Sequence, residues 1–240
     1  MDVQYNRQND DVISILKGIG IVLVVIGHSS PPSFILSFIY LFHVSLFFIS
    51  SGYFFNNKST DDKIGYIWKK IKGLYFPFVR YSIIFLLLHN LFYNLHIYNN
   101  VYGFNGTVSK LYGINDFVYN LKMICLHFSE PEMLLGALWF LESLFISSVF
   151  FLIIFWVTKL ISKKYTEILL PILVLVLYVL GFVVHNYNLK LPLGVNREFI
   201  LVSLIYLGYA FRKYFGHRSI NIYIYINTKC CILAGSCSVL

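Results

Sequence analysis

The sequence predicts an all-α, polytopic integral membrane helical bundle with about six spans. The 240 residues are 58% hydrophobic and 12% charged, with a mean hydropathy of +0.71. Soluble domains carry about 25% charged residues, so this chain lacks the charge to cover a water-facing surface. Between Lys17 and Lys58 there is no Asp, Glu, Lys or Arg. The apolar runs do not alternate in the manner of barrel strands of about ten residues.

The elements follow in order. Residues 1–11 are polar and end in Asn9-Asp10-Asp11, a helix N-cap signal. From Val12 to Phe55 the apolar run fits two helices of roughly 20 residues each, joined by a hairpin at Pro31-Pro32. The first is read as a retained helix: it lacks a strongly basic start and a small-residue cleavage site, and a second apolar run follows at once. Asp61 and Asp62 cap the next helix, in which Ile64, Ile67, Ile71 and Leu74 recur on one face with lysines between them. That pattern predicts a basic amphipathic helix at the inner membrane face, running into a third span from Tyr81 to about His96.

Residues 97–132 form a polar, aromatic outer segment. Within it, "INDFVYNLKMICLHF" reads as an interfacial helix or a re-entrant piece. Further spans run from Met133 to Thr158, from Ile168 to Val184 and, shorter, from Phe199 to Phe211. Residues 1–215 thus form one membrane domain. The tail 216–240 changes character, and the alternatives for it are half a span or out-of-frame translation. No internal repeat suggests an inverted-repeat transporter.

With the N-terminus in the cytoplasm, the inside segments hold Arg7, Lys17, Lys58, Lys63, Lys69, Lys70, Lys72, Arg80, Lys159, Lys163, Lys164, Arg212, Lys213, Arg218 and Lys229. The outside holds Lys110, Lys122, Lys190 and Arg197. This asymmetry fixes the expected orientation and accounts for the net charge of +8 without nucleic acid binding. The four cysteines show no zinc spacing.

On the first helix Lys17, Ile21, Val24 and His28 share a face, with Lys17 and His28 about 16 Å apart along the axis. Gly20 and Gly27 line a neighbouring face, where another helix can approach closely. His28 is thereby expected to look toward protein or a cavity; the competing reading is an anchor at the outer interface. On the second helix His43 and Ser50 share a face, with Phe47 between them. Glu142 is the only acid within the fourth span, and it either orients an imidazole or faces water. His89, His96, His127, His185 and His217 lack ligand spacing and read as interfacial. The lysines of the basic helix suit either the phosphates of a nucleotide-bearing donor or anionic lipid headgroups. No nucleophile elbow is present.

Four blocks in order, "ISILKGIGIVLVVIGHSS", "FIYLFHVSLFFISSGYFF", "YIWKKIKGLYFPF" and "GALWFLESLF", resemble the membrane-bound acyltransferase family 3, within it the fucose 4-O-acetylase-like branch. The resemblance covers roughly residues 10–215. It implies transfer of an acyl group, usually acetyl from acetyl-CoA, to a hydroxyl of an extracytoplasmic or lipid-linked saccharide in the inner membrane, with no metal. It places the catalytic histidine at His28, the second-block histidine at His43, and the basic, Pro-terminated block at Lys69, Lys70, Lys72 and Pro77. This chain departs from the pattern in four respects. Ser14 stands where members often carry an acid, Val44-Ser45 replace the usual Met-Pro, lysines replace arginines, and six spans are read where about ten are usual. The shortfall fits a truncated or frame-shifted member.

The expected mechanism has His28 as general base, with His43, Ser50 and Glu142 orienting it or binding the acceptor, and with Lys17, Lys69, Lys70 and Lys72 holding acetyl-CoA. The competing readings are a saccharide transporter or flippase and an inactive remnant of the enzyme.

Overall fold

The computed structural model describes residues 2–29, 31–98, 110–129, 131–187 and 196–215, and every regular element among them is helical. In chain order the α-helices are α1 (Asp2–His28), α2 (Ser33–Tyr40), α3 (Ser45–Tyr53), α4 (Lys63–Lys70), α5 (Phe76–Asn94), α6 (Ile114–His127), α7 (Trp139–Ile161), α8 (Thr166–Asn186) and α9 (Asn196–Phe215). The tail 216–240 lies outside the described residues. Two compact units form, one of Met1–Asn56 with Val157–Leu240 and one of Asn57–Trp156.

Five helical stretches among the described residues are long and apolar enough to cross a membrane: Asp11–His28, Ser33–Tyr53, Lys63–Asn94, Leu134–Ile161 and Thr166–Asn186. The expected sixth span is not among them. Arg197 and Glu198 open α9 and Arg212 and Lys213 close it. The uncharged stretch between them gives about 20 Å of helix at 1.5 Å per residue, short of a hydrocarbon core of about 30 Å. The N-terminal expectation also changes. Asn9-Asp10-Asp11 lie inside α1, which starts at Asp2. Once a spanning segment has nucleated, extending the helix adds one hydrogen bond per residue fixed, so polar residues join it at little cost.

In the first unit α9 packs against both α3 and α8, with Phe48, Val202 and Ile205 fully buried. The α3–α9 crossing is backbone against backbone. A Cβ built on Gly52 would lie 2.6 Å from the carbonyl carbon of Ile205, and one on Gly208 would lie 2.8 Å from that of Ile49. Only glycine permits such an approach on both sides. On α1, the residues Ile13, Gly20 and Gly27 are buried at seven-residue spacing. Gly20 faces the Phe47 ring and Gly27 the Tyr40 ring, and a Cβ added at either glycine would stand 3.1 Å from the ring it faces. The expectation that these glycines admit a second helix is met by the α2–α3 segment.

That segment is one expected span interrupted between Tyr40 and Ser45. The Ile39 carbonyl accepts the backbone N–H groups of Phe42 at 3.2 Å and His43 at 3.1 Å. It also receives Nδ1 of the His43 ring at 2.7 Å. A side chain inserted into the backbone ladder is a recognised cause of a helix break.

In the second unit Asp62 caps α4 as expected, accepting the Gly65 N–H at 2.9 Å. The Asp62→Ala substitution is expected to cost about 1 kcal/mol of local helix stability, read as faster amide hydrogen exchange at Gly65. The chain passes from α4 through a π-turn, Ile71–Tyr75, into α5. Pro77 supplies the reason: it has no N–H for the Gly73 carbonyl and its ring would crowd that group. Phe76 bonds instead to the Ile71 carbonyl, five residues back. Helix α6, at 14 residues, is about 21 Å long and too short to span. It exposes Ile114 and Val118, while Ile124 packs with Phe78, Leu86 and Phe128. Both readings of that stretch, an interfacial helix or a re-entrant piece, call for a helix this short. Asp116 accepts the Gly113 N–H at its start. The hydrogen bond from Lys110, and then that from Gly113, hold the Asp116 carboxyl below its ordinary range.

Candidate active site

In the first unit His28 ends α1 and is exposed. The ring expected to look toward protein or a cavity is thus an exposed one, and helix geometry accounts for it. At 100° per residue the buried stripe of Ile13, Gly20 and Gly27 lies about 60–100° away from His28, so the ring stands at the edge of the packed face. Among the described residues no hydrogen bond engages it.

His43 is the opposite case. It is buried, its Nδ1 donates to the Ile39 carbonyl at 2.7 Å, and its ring stacks on Tyr40 with centroids 5.2 Å apart. A donor at Nδ1 fixes the tautomer of the neutral ring and leaves Nε2 as its acceptor. Ser50 is also buried, and its hydroxyl donates to the Leu46 carbonyl at 2.6 Å. That bond turns the serine back on its own helix, a packing arrangement rather than that of an activated nucleophile.

Lys17 lies with its ammonium 5.0 Å from the Phe54 ring centroid, past the end of α3. Sequence reasoning gave Arg212 only a topological role. Its Nη1 donates to the Tyr53 carbonyl at 3.0 Å and its guanidinium lies over the Tyr53 ring. Both cations thus collect at the C-terminus of α3, the negative end of the helix dipole.

The remaining expected residues belong to the second unit. Lys70 lies over the Tyr66 ring at 5.5 Å and Lys72 over Trp68 at 5.3 Å, while Lys69 is exposed. These ammonium groups can meet phosphates as point charges, without the bidentate grip of arginine. Glu142 is partly buried in the first turn of α7, where the helix dipole favours a carboxylate. Among the described residues no group of three or more His, Cys, Asp or Glu could hold a metal ion.

Sequence reasoning missed a second cluster. His89, expected at an interface, is buried at 3% exposure, and so is Glu132 at 2%. His89 Nδ1 meets Glu132 Oε2 at 2.9 Å, and the Tyr98 hydroxyl donates to the same oxygen at 2.6 Å. His89 Nε2 meets the Lys110 carbonyl at 2.8 Å. The Tyr112 ring stacks parallel on the imidazole, centroids 3.4 Å apart. Asn90 pairs with the Tyr112 backbone through both its amide atoms, at 3.0 and 2.8 Å. The histidine expected at the interface is thus a buried one, its imidazole held by Glu132. The available signal was a histidine near the end of one apolar run and a Pro-Glu at the start of the next.

The family model for an acyltransferase domain matches residues 10–240. The chain belongs to acyltransferase family 3. Family 3 membership makes it a membrane acyltransferase that moves groups other than aminoacyl groups, and the five long apolar helices among the described residues fit a multi-pass protein. The family 3 match includes residues 216–240 as well as the 10–215 stretch on which the sequence resemblance rests. No curated protein and no solved structure matches the chain.

Proposed function

We propose that this family 3 member is an O-acyltransferase of the inner membrane. It moves an acyl group, acetyl in the first instance, from acyl-CoA to a hydroxyl of an extracytoplasmic or lipid-linked saccharide. The supporting observation is the contrast between its two block histidines, one exposed at the end of the first span with no hydrogen bond among the described residues, the other buried and hydrogen-bonded within the second. A sugar hydroxyl attacks a thioester slowly unless its proton leaves as the bond forms, and an exposed imidazole suits that work.

In the proposed step the hydroxyl oxygen bonds to the thioester carbonyl carbon while a ring nitrogen of His28 takes the proton. The tetrahedral intermediate then breaks its C–S bond, and the CoA thiolate recovers a proton from the imidazolium. His43, with its tautomer set by Ile39, is a positioning residue for the second span, and Glu142 is a candidate to bind the acceptor. Lys17, Lys69, Lys70 and Lys72 would meet the phosphates of CoA as point charges. The charge asymmetry of the sequence supports a cytoplasmic N-terminus and cytoplasmic lysines.

Membranes holding equal amounts of wild-type and His28→Ala protein, supplied with radiolabelled acetyl-CoA, test the proposal. The variant is expected to transfer label to glycan 10²–10⁴-fold more slowly, the usual contribution of a general base. Transfer at the wild-type rate would remove His28 from the chemistry. Wild-type membranes that label no carbohydrate would remove the saccharide.

A further inference from the structure

His43 is buried, yet its ring touches a residue that reaches the surface. One face of the Tyr40 ring stacks on the His43 imidazole, with centroids 5.2 Å apart and planes 26° from parallel. The imidazole is itself held by the Ile39 carbonyl at 2.7 Å. The Cβ position of Gly27 lies 3.1 Å from Cε1 and 3.9 Å from Cδ1 of Tyr40, so one edge of the tyrosine ring rests on α1. No second ring covers its opposite face among the described residues, and the residue is 53% exposed. A tyrosine that only anchored its helix at the membrane interface would need no such seat.

The same contacts fix where Tyr40 stands along α1. Gly27 faces Tyr40 and Gly20 faces Phe47, so seven residues up one segment match seven down the other and the two run antiparallel. His28, one residue past Gly27, is therefore level with Ile39 and within one residue's rise of Tyr40. Of those two, Ile39 is buried and Tyr40 is open. An acceptor whose hydroxyl meets the His28 ring thus lies, along the helix axis, at the height of the exposed tyrosine.

The chemistry of the open face suits a sugar. An aromatic ring is negative on its faces. A pyranose presents a side of weakly positive C–H bonds, with its hydroxyls directed outward around the rim. Packed against the tyrosine, a sugar keeps those hydroxyls available to a base, whereas a phosphate gains nothing from such a face.

We propose that Tyr40 is an acceptor-binding residue, the open face of its ring packing against the C–H side of the saccharide, with His43 as the positioning residue that seats it. The inference rests on the O-acyltransferase reading and gives the buried block histidine a part in it.

The test uses membranes holding equal amounts of wild-type, Tyr40→Leu, Tyr40→Phe and His43→Asn protein, supplied with radiolabelled acetyl-CoA. The acceptors are a panel of alkyl hexosides and alkyl N-acetylhexosaminides. Tyr40→Leu is expected to raise the acceptor KM about fivefold, within the range that aromatic contacts contribute, and to leave the KM for acetyl-CoA unchanged. Tyr40→Met removes the flat face equally and serves where the leucine variant fails to insert. Tyr40→Phe keeps the face and is expected to match the wild type. Asn retains a side-chain donor for the Ile39 carbonyl but not the imidazole platform, so His43→Asn is expected to raise the acceptor KM as Tyr40→Leu does. The two changes combined are expected to raise it no further than either alone, because they remove one contact.

An acceptor KM unmoved in Tyr40→Leu, or moved as far in Tyr40→Phe, overturns the proposal. An equal rise in the KM for acetyl-CoA does so too, since it marks a general disturbance of the fold. Wild-type transfer with any of these results sinks the role of Tyr40 and spares the O-acyltransferase. Wild-type membranes that acylate none of the sugars sink the O-acyltransferase reading and this inference with it.

Discussion

Gly52→Ala and Gly208→Ala are each expected to unfold the first unit or to cost about 3 kcal/mol or more, the upper range for overpacking a well-filled interior. Each added methyl would meet not a flexible side chain but the opposing backbone, the Ile205 carbonyl for Gly52 and the Ile49 carbonyl for Gly208. Neither can be relieved by a rotamer change. The helices must separate, and separation empties the packing of Phe48, Val202 and Ile205. Gly18→Ala is the control, because nothing lies within 4 Å of its Cβ position. There the change is expected to stabilise by about 0.5–1 kcal/mol through helix propensity and reduced unfolded-state entropy. Midpoints of thermal unfolding in one detergent decide the matter. Similar midpoints for Gly18→Ala and Gly52→Ala would mean that the α3–α9 crossing does not hold the unit together.

Gly52 stands in an apolar helix, and nothing in its sequence surroundings names α9 as its partner. A small residue in an apolar helix announces a close approach and says nothing about which helix approaches. Gly20 and Gly27 were easier, since the Pro31-Pro32 hairpin leaves the next helix as the only near neighbour in sequence. The spans themselves could be read because apolar length is a local property. Asp62 and Pro77 could be read for the same reason: a cap and a missing N–H act within four residues. Helix α9 shows apolar character in its middle, while the charges at both ends set its usable length.

The candidate site divides along the same line. His28 and His43 stand in local blocks; the place of His28 at the end of a helix was predictable, but His43, expected on the second helix, falls in the interruption between α2 and α3. Their environments were not predictable: exposure of one and burial of the other depend on the angle between each ring and a neighbour. The His89 network is non-local throughout. Glu132 is 43 residues from its imidazole, and the Lys110 carbonyl is 21 residues away. Period and spacing carry no trace of pairs at such separations. Glu142 is conspicuous inside an apolar run, whereas Glu132 stands just before one, at the end of the polar outer segment.

His89→Ala is expected to destabilise the second unit by about 3–5 kcal/mol, the cost of breaking a buried pair by removing one partner. The substitution strips the Glu132 carboxylate of one of its two donors, and leaves the Lys110 carbonyl and the Tyr112 ring without the imidazole they enclose. Cavity formation alone would also destabilise, so a double-mutant cycle is required to isolate the pair. Glu132→Ala removes the charge that His89 serves, and with both residues gone no unpaired carboxylate remains. The double variant is therefore expected to be more stable than the sum of the single losses predicts, by about 2 kcal/mol. Strict additivity in thermal or denaturant unfolding would mean that the 2.9 Å contact between Nδ1 and Oε2 contributes no coupling. The sign follows from burial. At the surface, solvent would screen the orphaned carboxylate and reduce the coupling to a few tenths of a kcal/mol, whereas here the side chains are 3% and 1% exposed.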